Sequence, residues 1–545
     1  MKDTIYINGE IVTVDDNLPE SEAVVVQKGK IIYVGDNDGA MKYRKGRINV
    51  VDLKGKTLLP GFIDPHSHFL MAALTSDFLV LSSPPINTIE TIDDIVERMK
   101  ARITERNQKS GASIIGWGFD QSLLKDGRMP TNKDLDRVST EHVVVAIHQS
   151  GHIGVANSYA LEKFGITAKT EDPEGGHIGR YEGGREPNGL LEETAMMEHL
   201  MSIFPKPSIG NIIKSFKKGT EYYAQYGITT AQDGGTTDQT LMLVKIARLL
   251  NLFKQDVVGY YMIQKPKQLD KLDWVKTQNK YKKGFRLGGA KFLLDGSPQA
   301  KTAWLSQPYL IPPEGKDKDY CGYPMQEDNE FVAKVYEEVL KRDMQILTHT
   351  NGDQASEQLI TNFEKAKEKT GCTSDTRPVM IHAQTVREDQ LDRMAPLNMI
   401  PSFFHDHTFF WGDWHINSVL GKERAFRISP VQSAIKRDIT YTLHQDTPVV
   451  PPNMPLTLWA AVNRKTRSGK IIGPEQRSTI LEALRGITIN GAYQYHEEDS
   501  KGSITFGKRA DLVIMDKNPM KVDADDLKDL KVLETIKDGK TIYKA

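Results

Sequence analysis

Pro60-Gly-Phe-Ile-Asp-Pro-His-Ser-His68 is the strongest chemical signal in the sequence, because His66 and His68 stand two apart where an apolar run ends. On a strand, residues i and i+2 point to the same side, so both imidazoles can approach one ion, at roughly 2.0–2.1 Å for zinc. Two histidines can also simply share a polar strand end. The other apolar runs bear on that choice: His349 and His382 each end one, Lys291 lies within another, and Asp446 follows the last. In barrels of parallel strands, catalytic residues gather at the C-terminal strand ends, so residues distant in sequence converge. A satisfied core histidine explains any one of these positions but explains the set poorly.

Positioning such a set takes repeated strand–helix units. Eight short apolar runs qualify: Leu58–Asp64, Gly227–Ala231, Val257–Met262, Ala290–Asp295, Gln345–His349, Val379–His382, Met399–Phe404 and Ile439–His444. Helical patterns such as Asn329–Lys341 and Ala355–Lys369 fall between them. Eight units suit a closed parallel barrel better than an open sheet, and no G-x-G-x-x-G follows any run to favour a dinucleotide fold. Thr4 to Leu53 alternates apolar and polar residues with turns at Asn8-Gly9, Lys28-Gly29 and Gly35-Asp36, and the C-terminal segment has similar grammar around Asp538-Gly539. The two ends are expected to build one small β domain from residues 1–58 and 488–545, or else two unrelated appendages, with the barrel at 59–487. Residues 70–218 break the eightfold pattern and are expected to form an insertion after strand 1, folded as a cap, with a hairpin at the glycine-rich stretch from Gly175.

The 545 residues and 39% hydrophobic content allow a sizeable core, and a single barrel absorbs about 250 residues. Lys and Arg total 71 against 72 Asp and Glu, with no basic block, which argues against nucleic acid or an acidic membrane face. Cys321 and Cys372 are too few for a disulfide framework or a thiolate metal site, so imidazole and oxygen must supply any ligands. The sequence shows no secretory signal and no apolar stretch of about 18 residues, so a cytoplasmic protein without a membrane partner is expected.

The segments Pro60–His68, Ala290–Ser297, His349–Ala355, Ile381–Gln384 and His444–Val449 resemble the amidohydrolase superfamily, and more narrowly its YtcJ-like group, which includes N-substituted formamide deformylases. The similarity runs over nearly the whole chain, including His152–Leu161 and Gly189–Glu193. It implies an α/β fold: a (β/α)8 TIM barrel beside a small β-sandwich built from both termini. It implies a metal-dependent hydrolase, with two divalent ions, zinc being the candidate. His66 and His68 would bind the more buried ion, and His349 and His382 the more exposed one. Lys291 would bridge both as an N-carboxylated lysine, carrying a CO2-derived carboxylate, and Asp446 would be ligand and general acid/base. The alternatives for Lys291 are a snorkelling surface lysine, or Asp295 as the ligand, with a single-metal site as fallback.

The leading function is hydrolysis of a C–N bond in a small N-acyl or formamide-like substrate by a metal-bridging hydroxide. A cyclic amide or ester hydrolase with the same centre, and a non-catalytic metal-binding regulatory protein, are the alternatives. His405, His407 and Trp411, in the aromatic segment after the seventh run, are candidates to line the substrate pocket, with His405 or His407 donating to the carbonyl; a packed loop is the alternative. His152 and Asn157 are further substrate-facing candidates, with a structural role equally open, and Asp233 and Asp353 are candidates to orient ligands. A homodimer is the candidate assembly.

Overall fold

The computed structural model describes residues 3–46, 48–173, 176–203, 208–313 and 315–545. The chain forms two compact units, one of Met1–Leu74, Phe216–Pro448 and Pro452–Ala545, the other of Thr75–Ser215 with Val449–Pro451.

The larger unit is built on one curled sheet of eight parallel strands that neighbour one another in chain order. They are β1 (Phe62–Ile63), β2 (Ile228–Thr236), β3 (Asp256–Met262), β4 (Phe285–Leu293), β5 (Gln345–Thr350), β6 (Val379–His382), β7 (Ile400–Phe404) and β8 (Thr442–His444). Most of their residues are buried, which is why they read as apolar runs rather than as alternation. Helices connect them where the sequence supplies a cap and an apolar stripe. The Asp328 carboxylate accepts from the amides of Glu330 and Phe331 and so starts Asn329–Leu340, which buries Val332, Val335, Tyr336 and Val339. Asp353–Thr370 ends at Gly371, whose φ of 63° lies in the left-handed region that glycine tolerates.

The run Leu58–Asp64 does not form one strand, as the sequence led us to expect. Thr57–Pro60 pairs antiparallel with Leu512–Met515, and only Phe62–Ile63 joins the parallel sheet. Gly61 makes the switch: a Cβ there would lie 2.4 Å from Thr229 Cγ2, a distance no real side chain adopts. An apolar run cannot reveal which sheet takes each of its halves.

Thr57–Pro60 belongs to a six-stranded sheet that draws strands from both ends of the chain, while Lys30–Gly35, Ala23–Gln27, Thr4–Ile7 and Asn49–Asp52 form a four-stranded sheet. Tyr6, Val24 and Val26 of the smaller sheet share one apolar cluster with Ile11, Leu512, Ile514 and Ile536 of the larger. Lys28-Gly29 and Asp538-Gly539 close tight hairpins with both residues of each pair at positive φ. At the start of β3, the buried Asp256 carboxylate meets Lys501 at 2.6 Å, Arg509 at 2.8 Å and Lys537 at 3.0 Å, tying the eight-stranded sheet to the C-terminal segment.

The smaller unit holds a six-stranded sheet in the order Gly176–Arg180, Pro187–Glu193, Ile153–Ala156, Val143–His148, Ser113–Phe119 and Leu79–Val80. The first two of these form the antiparallel pair expected of the glycine-rich stretch, although Gly175 itself lies outside the described residues. Leu79, Ile95, Val96, Ile114, Val144 and Val155 belong to its core. Among the described residues, no helix is long and apolar enough to cross a membrane.

Candidate metal centre

Beyond β1 the chain brings His66, fully buried, and the partly exposed His68 to the carboxylate of Asp446, two residues past β8. His66 Nε2 lies 3.4 Å and His68 Nε2 3.3 Å from Asp446 Oδ1. The His68 amide donates to Thr447 O at 2.7 Å, joining the segments that follow β1 and β8. At the ends of β5 and β6, His349 Nδ1 and His382 Nε2 are 3.2 Å apart. His382 (φ 71°) and Asp446 (φ 56°) both occupy the left-handed region. That strain costs about 1–3 kcal/mol each and persists only where the surroundings over-determine the backbone.

Hydrogen bonds decide which ring nitrogens present lone pairs. His66 Nδ1 lies 2.6 Å from Gln232 Oε1, and the Gln232 amide nitrogen donates to Pro65 O and, at 3.0 Å, to the Tyr495 hydroxyl. Gln232 Oε1 can only accept, so His66 carries its proton on Nδ1 and turns a lone pair on Nε2 towards Asp446. His349 Nε2 lies 3.1 Å from both the carbonyl of Gly296 and the amide nitrogen of Asn351, while Nδ1 faces His382.

Electrostatics agree with that assignment. Burial, reinforced by the Lys291 charge, holds His66 well below the usual histidine pKa, and burial beside His349 does the same to His382. Both rings are therefore neutral and able to coordinate at pH 7. Burial alone would raise Asp446, but the hydrogen bond from His68 and the charges of His68, His444 and Lys291 hold it below the ordinary carboxylate value. Lys291, 1% exposed in β4, has its ammonium 3.4 Å from His66 Nε2. Burial pushes its pKa down to about 7, with only Asp446 opposing.

Ligands held at 2.0–2.1 Å around a tetrahedral ion lie about 3.3 Å from one another. The 3.2, 3.3 and 3.4 Å separations above match that spacing. His66, His382 and Asp446 offer donor atoms all within 4.8 Å of each other. These residues fit a divalent metal.

The remaining sequence candidates divide. His407, after β7, is buried, and neither ring nitrogen has a hydrogen-bond partner among the described residues. Its ring lies 3.9 Å from that of Phe404, 5.2 Å from Trp411 and 6.4 Å from His382. His405 Nε2 instead lies 3.3 Å from Arg464, a buried guanidinium that also donates to the carbonyls of Ile428, Ser429 and Ile472. In the smaller unit, His152 Nδ1 meets Glu193 at 2.7 Å. Asn157 caps a helix: its oxygen accepts from the amides of Ala160 and Val144, and its nitrogen donates to Ser139 O and His142 O. With every donor and acceptor spent there, Asn157 has none left for a substrate. Asp233 accepts from the Leu70 amide and the Thr236 hydroxyl, steadying the chain just past His68. Asp295 accepts from the amides of Asn351, Gly352 and Trp304, so it braces the turn after β5. Asp353 accepts from Ser306 and Arg387.

Sequence reasoning missed Gln232 and His444. The buried His444 ends β8 with its ring 5.1 Å from those of both His66 and His382, and its place two residues before Asp446 was the available signal. Gln232 lies one residue beyond the run identified for β2. Replacing it with Leu would free the His66 ring to rotate, and we expect metal affinity to fall about 10- to 100-fold with the fold intact. Titration with a competing chelator measures this; unchanged affinity would remove Gln232 from the centre.

The chain is 28% identical to the N-substituted formamide deformylase of Arthrobacter pascens over 100% of its own length and 98% of that protein. It is 24% identical to the putative amidohydrolase YtcJ of Bacillus subtilis (strain 168), over 99% of each. A solved structure of an uncharacterized metal-dependent hydrolase from Pyrococcus horikoshii superposes with a TM-score of 0.74 at 25% identity, covering 96% of this chain and 99% of that one. The amidohydrolase family pattern matches residues 49–543, so this chain belongs to the amidohydrolase family.

Proposed function

We propose that this protein is a binuclear hydrolase that cleaves the C–N bond of an N-acyl or formamide-like compound. The observation that carries the reading is the convergence, at ligand-to-ligand spacing, of four imidazoles and a carboxylate around a buried lysine. His66, His68 and Asp446 would hold one ion, His349 and His382 the other, and zinc suits a nitrogen and oxygen donor set. Lys291 would bridge the two. An ammonium beside two dications is unfavourable, whereas a neutral amine adds CO2, releases a proton and becomes an anionic ligand. Ions bound there supply Lewis acidity to a carbonyl oxygen and lower the pKa of a coordinated water from 15.7 to roughly 7.

The chain's own groups would do the rest. Asp446 takes the proton of the attacking water and returns it to the departing nitrogen. His407, its ring nitrogens uncommitted, donates to the substrate carbonyl, while Phe404 and Trp411 accommodate an apolar substituent. The hydrogen bond from His68 to Thr447 supports closure of the eight strands into a (β/α)8 barrel, and the apolar cluster shared by the terminal sheets supports a β-sandwich. The N-substituted formamide deformylase relative supports the choice of bond.

The test is a panel of N-formyl amines, N-acyl amino acids and cyclic imides, scored for released amine. We expect hydrolysis that a chelator abolishes and added Zn2+ restores. Full metal occupancy with no amine released from any member would overturn the reading and favour a metal-binding regulatory protein.

A further inference from the structure

Ten residues beyond Lys291, on the loop that leaves β4, stands a second lysine that the centre does not use. Lys301 is only 9% exposed, and its ammonium makes no hydrogen bond or ion pair among the described residues. The ring of Trp414 lies 4.8 Å from the ammonium. Burial lowers its pKa, and among the described residues no acidic neighbour opposes the effect. The fold holds this group firmly: Lys301 sits at φ 58°, its amide donates to Pro298 O at 3.0 Å, and the Tyr320 hydroxyl donates to its carbonyl at 2.9 Å. A lysine so little exposed, without a counter-charge among the described residues, is a group that a ligand of the opposite sign would stabilise.

The loop also ties Lys301 to the rim of the metal centre. At one end the Gly296 carbonyl lies 3.1 Å from His349 Nε2. At the other, the Trp414 indole donates to Gln299 O at 3.2 Å, and the next residue, His415, meets Gln384 at 2.9 Å, two positions past His382. On the same loop Ser297 Oγ and Gln299 Oε1 are buried without a partner among the described residues. One cation and two unspent polar atoms thus lie on a loop running from the side chain of His349 to the segment after β7.

We propose that Lys301 recognises a carboxylate carried by the substrate, so that the compound cleaved is an N-acylated amino acid rather than a neutral amide. The ammonium, held over the Trp414 ring, pairs with the carboxylate, and the Ser297 hydroxyl is free to donate to the same anionic end. This rests on the hydrolase reading above and specifies its substrate class.

Calorimetry on the metal-loaded protein tests it, in an Asp446→Asn background so that no probe is consumed. The probes are N-formyl ω-amino acids of increasing chain length, each paired with the N-alkylformamide in which a methyl replaces the carboxylate. We expect at least one acid to bind about tenfold to a hundredfold tighter than its neutral partner, the range of a hydrogen-bonded charge. Lys301→Met, which inherits the same backbone angle and apolar stem, abolishes that preference and leaves the neutral partner within about twofold; Lys301→Arg keeps the preference and verifies that the loop still folds. No preference in any pair, or a preference that survives Lys301→Met, overturns the proposal. Because binding is read without turnover, absence of C–N cleavage together with a Lys301-dependent preference would remove the hydrolase reading alone.

Discussion

Asp446→Asn is expected to lower kcat by about 10³-fold while leaving bound metal close to the wild-type content, the middle of the range for losing a general acid/base. Asparagine matches the carboxylate in shape and keeps an oxygen where Oδ1 now faces His66 and His68. It cannot take up a proton at neutral pH. Coordination should therefore survive and proton transfer should not. Elemental analysis alongside steady-state kinetics separates the two: loss of metal in step with activity would make Asp446 a ligand only, and near-normal turnover would end its role in proton transfer altogether.

Lys291→Met should have the larger effect on the centre itself, removing at least one ion and essentially all turnover. Methionine fills the buried volume of the stem, so a loss cannot be blamed on a cavity. What goes is the group next to His66 that, once carboxylated, would supply negative charge between the two sets of imidazoles. Protein prepared with 13C-labelled bicarbonate should show a carbamate carbon resonance that Lys291→Met lacks. Full metal content and turnover in the methionine variant would sink the bridging role. A metal-replete wild type with no carbamate signal would leave Lys291 unmodified and point to another bridging group.

The sheet was legible because parallel strands covered on both faces leave continuous apolar runs, and all eight runs lie in it at least in part. Six polar side chains at their ends stood out for the same reason: His66, His68, Lys291, His349, His382 and Asp446 interrupt or end runs that are otherwise apolar. Other features depend on partners too far away in sequence for spacing to register. Arg464 ties up His405 from 59 positions downstream, and nothing near His405 announces it. Gln232 orients His66 across 166 positions, and a lone amide at a strand end has no distinctive pattern. Asn157 is different, since an asparagine just before Ser158–Phe164 was a readable N-cap signal.

The division of Thr57–Ile63 between two sheets has a consequence for how this protein is made. Thr57–Pro60 is held on one side by Leu512–Met515, a segment far downstream in the chain, and only five residues separate Pro60 from His66. While the chain is still being synthesised, the first histidine pair hangs from a strand whose C-terminal neighbour does not yet exist. A chain not yet extended past Met515 therefore lacks the strand that anchors the segment leading to His66 and His68.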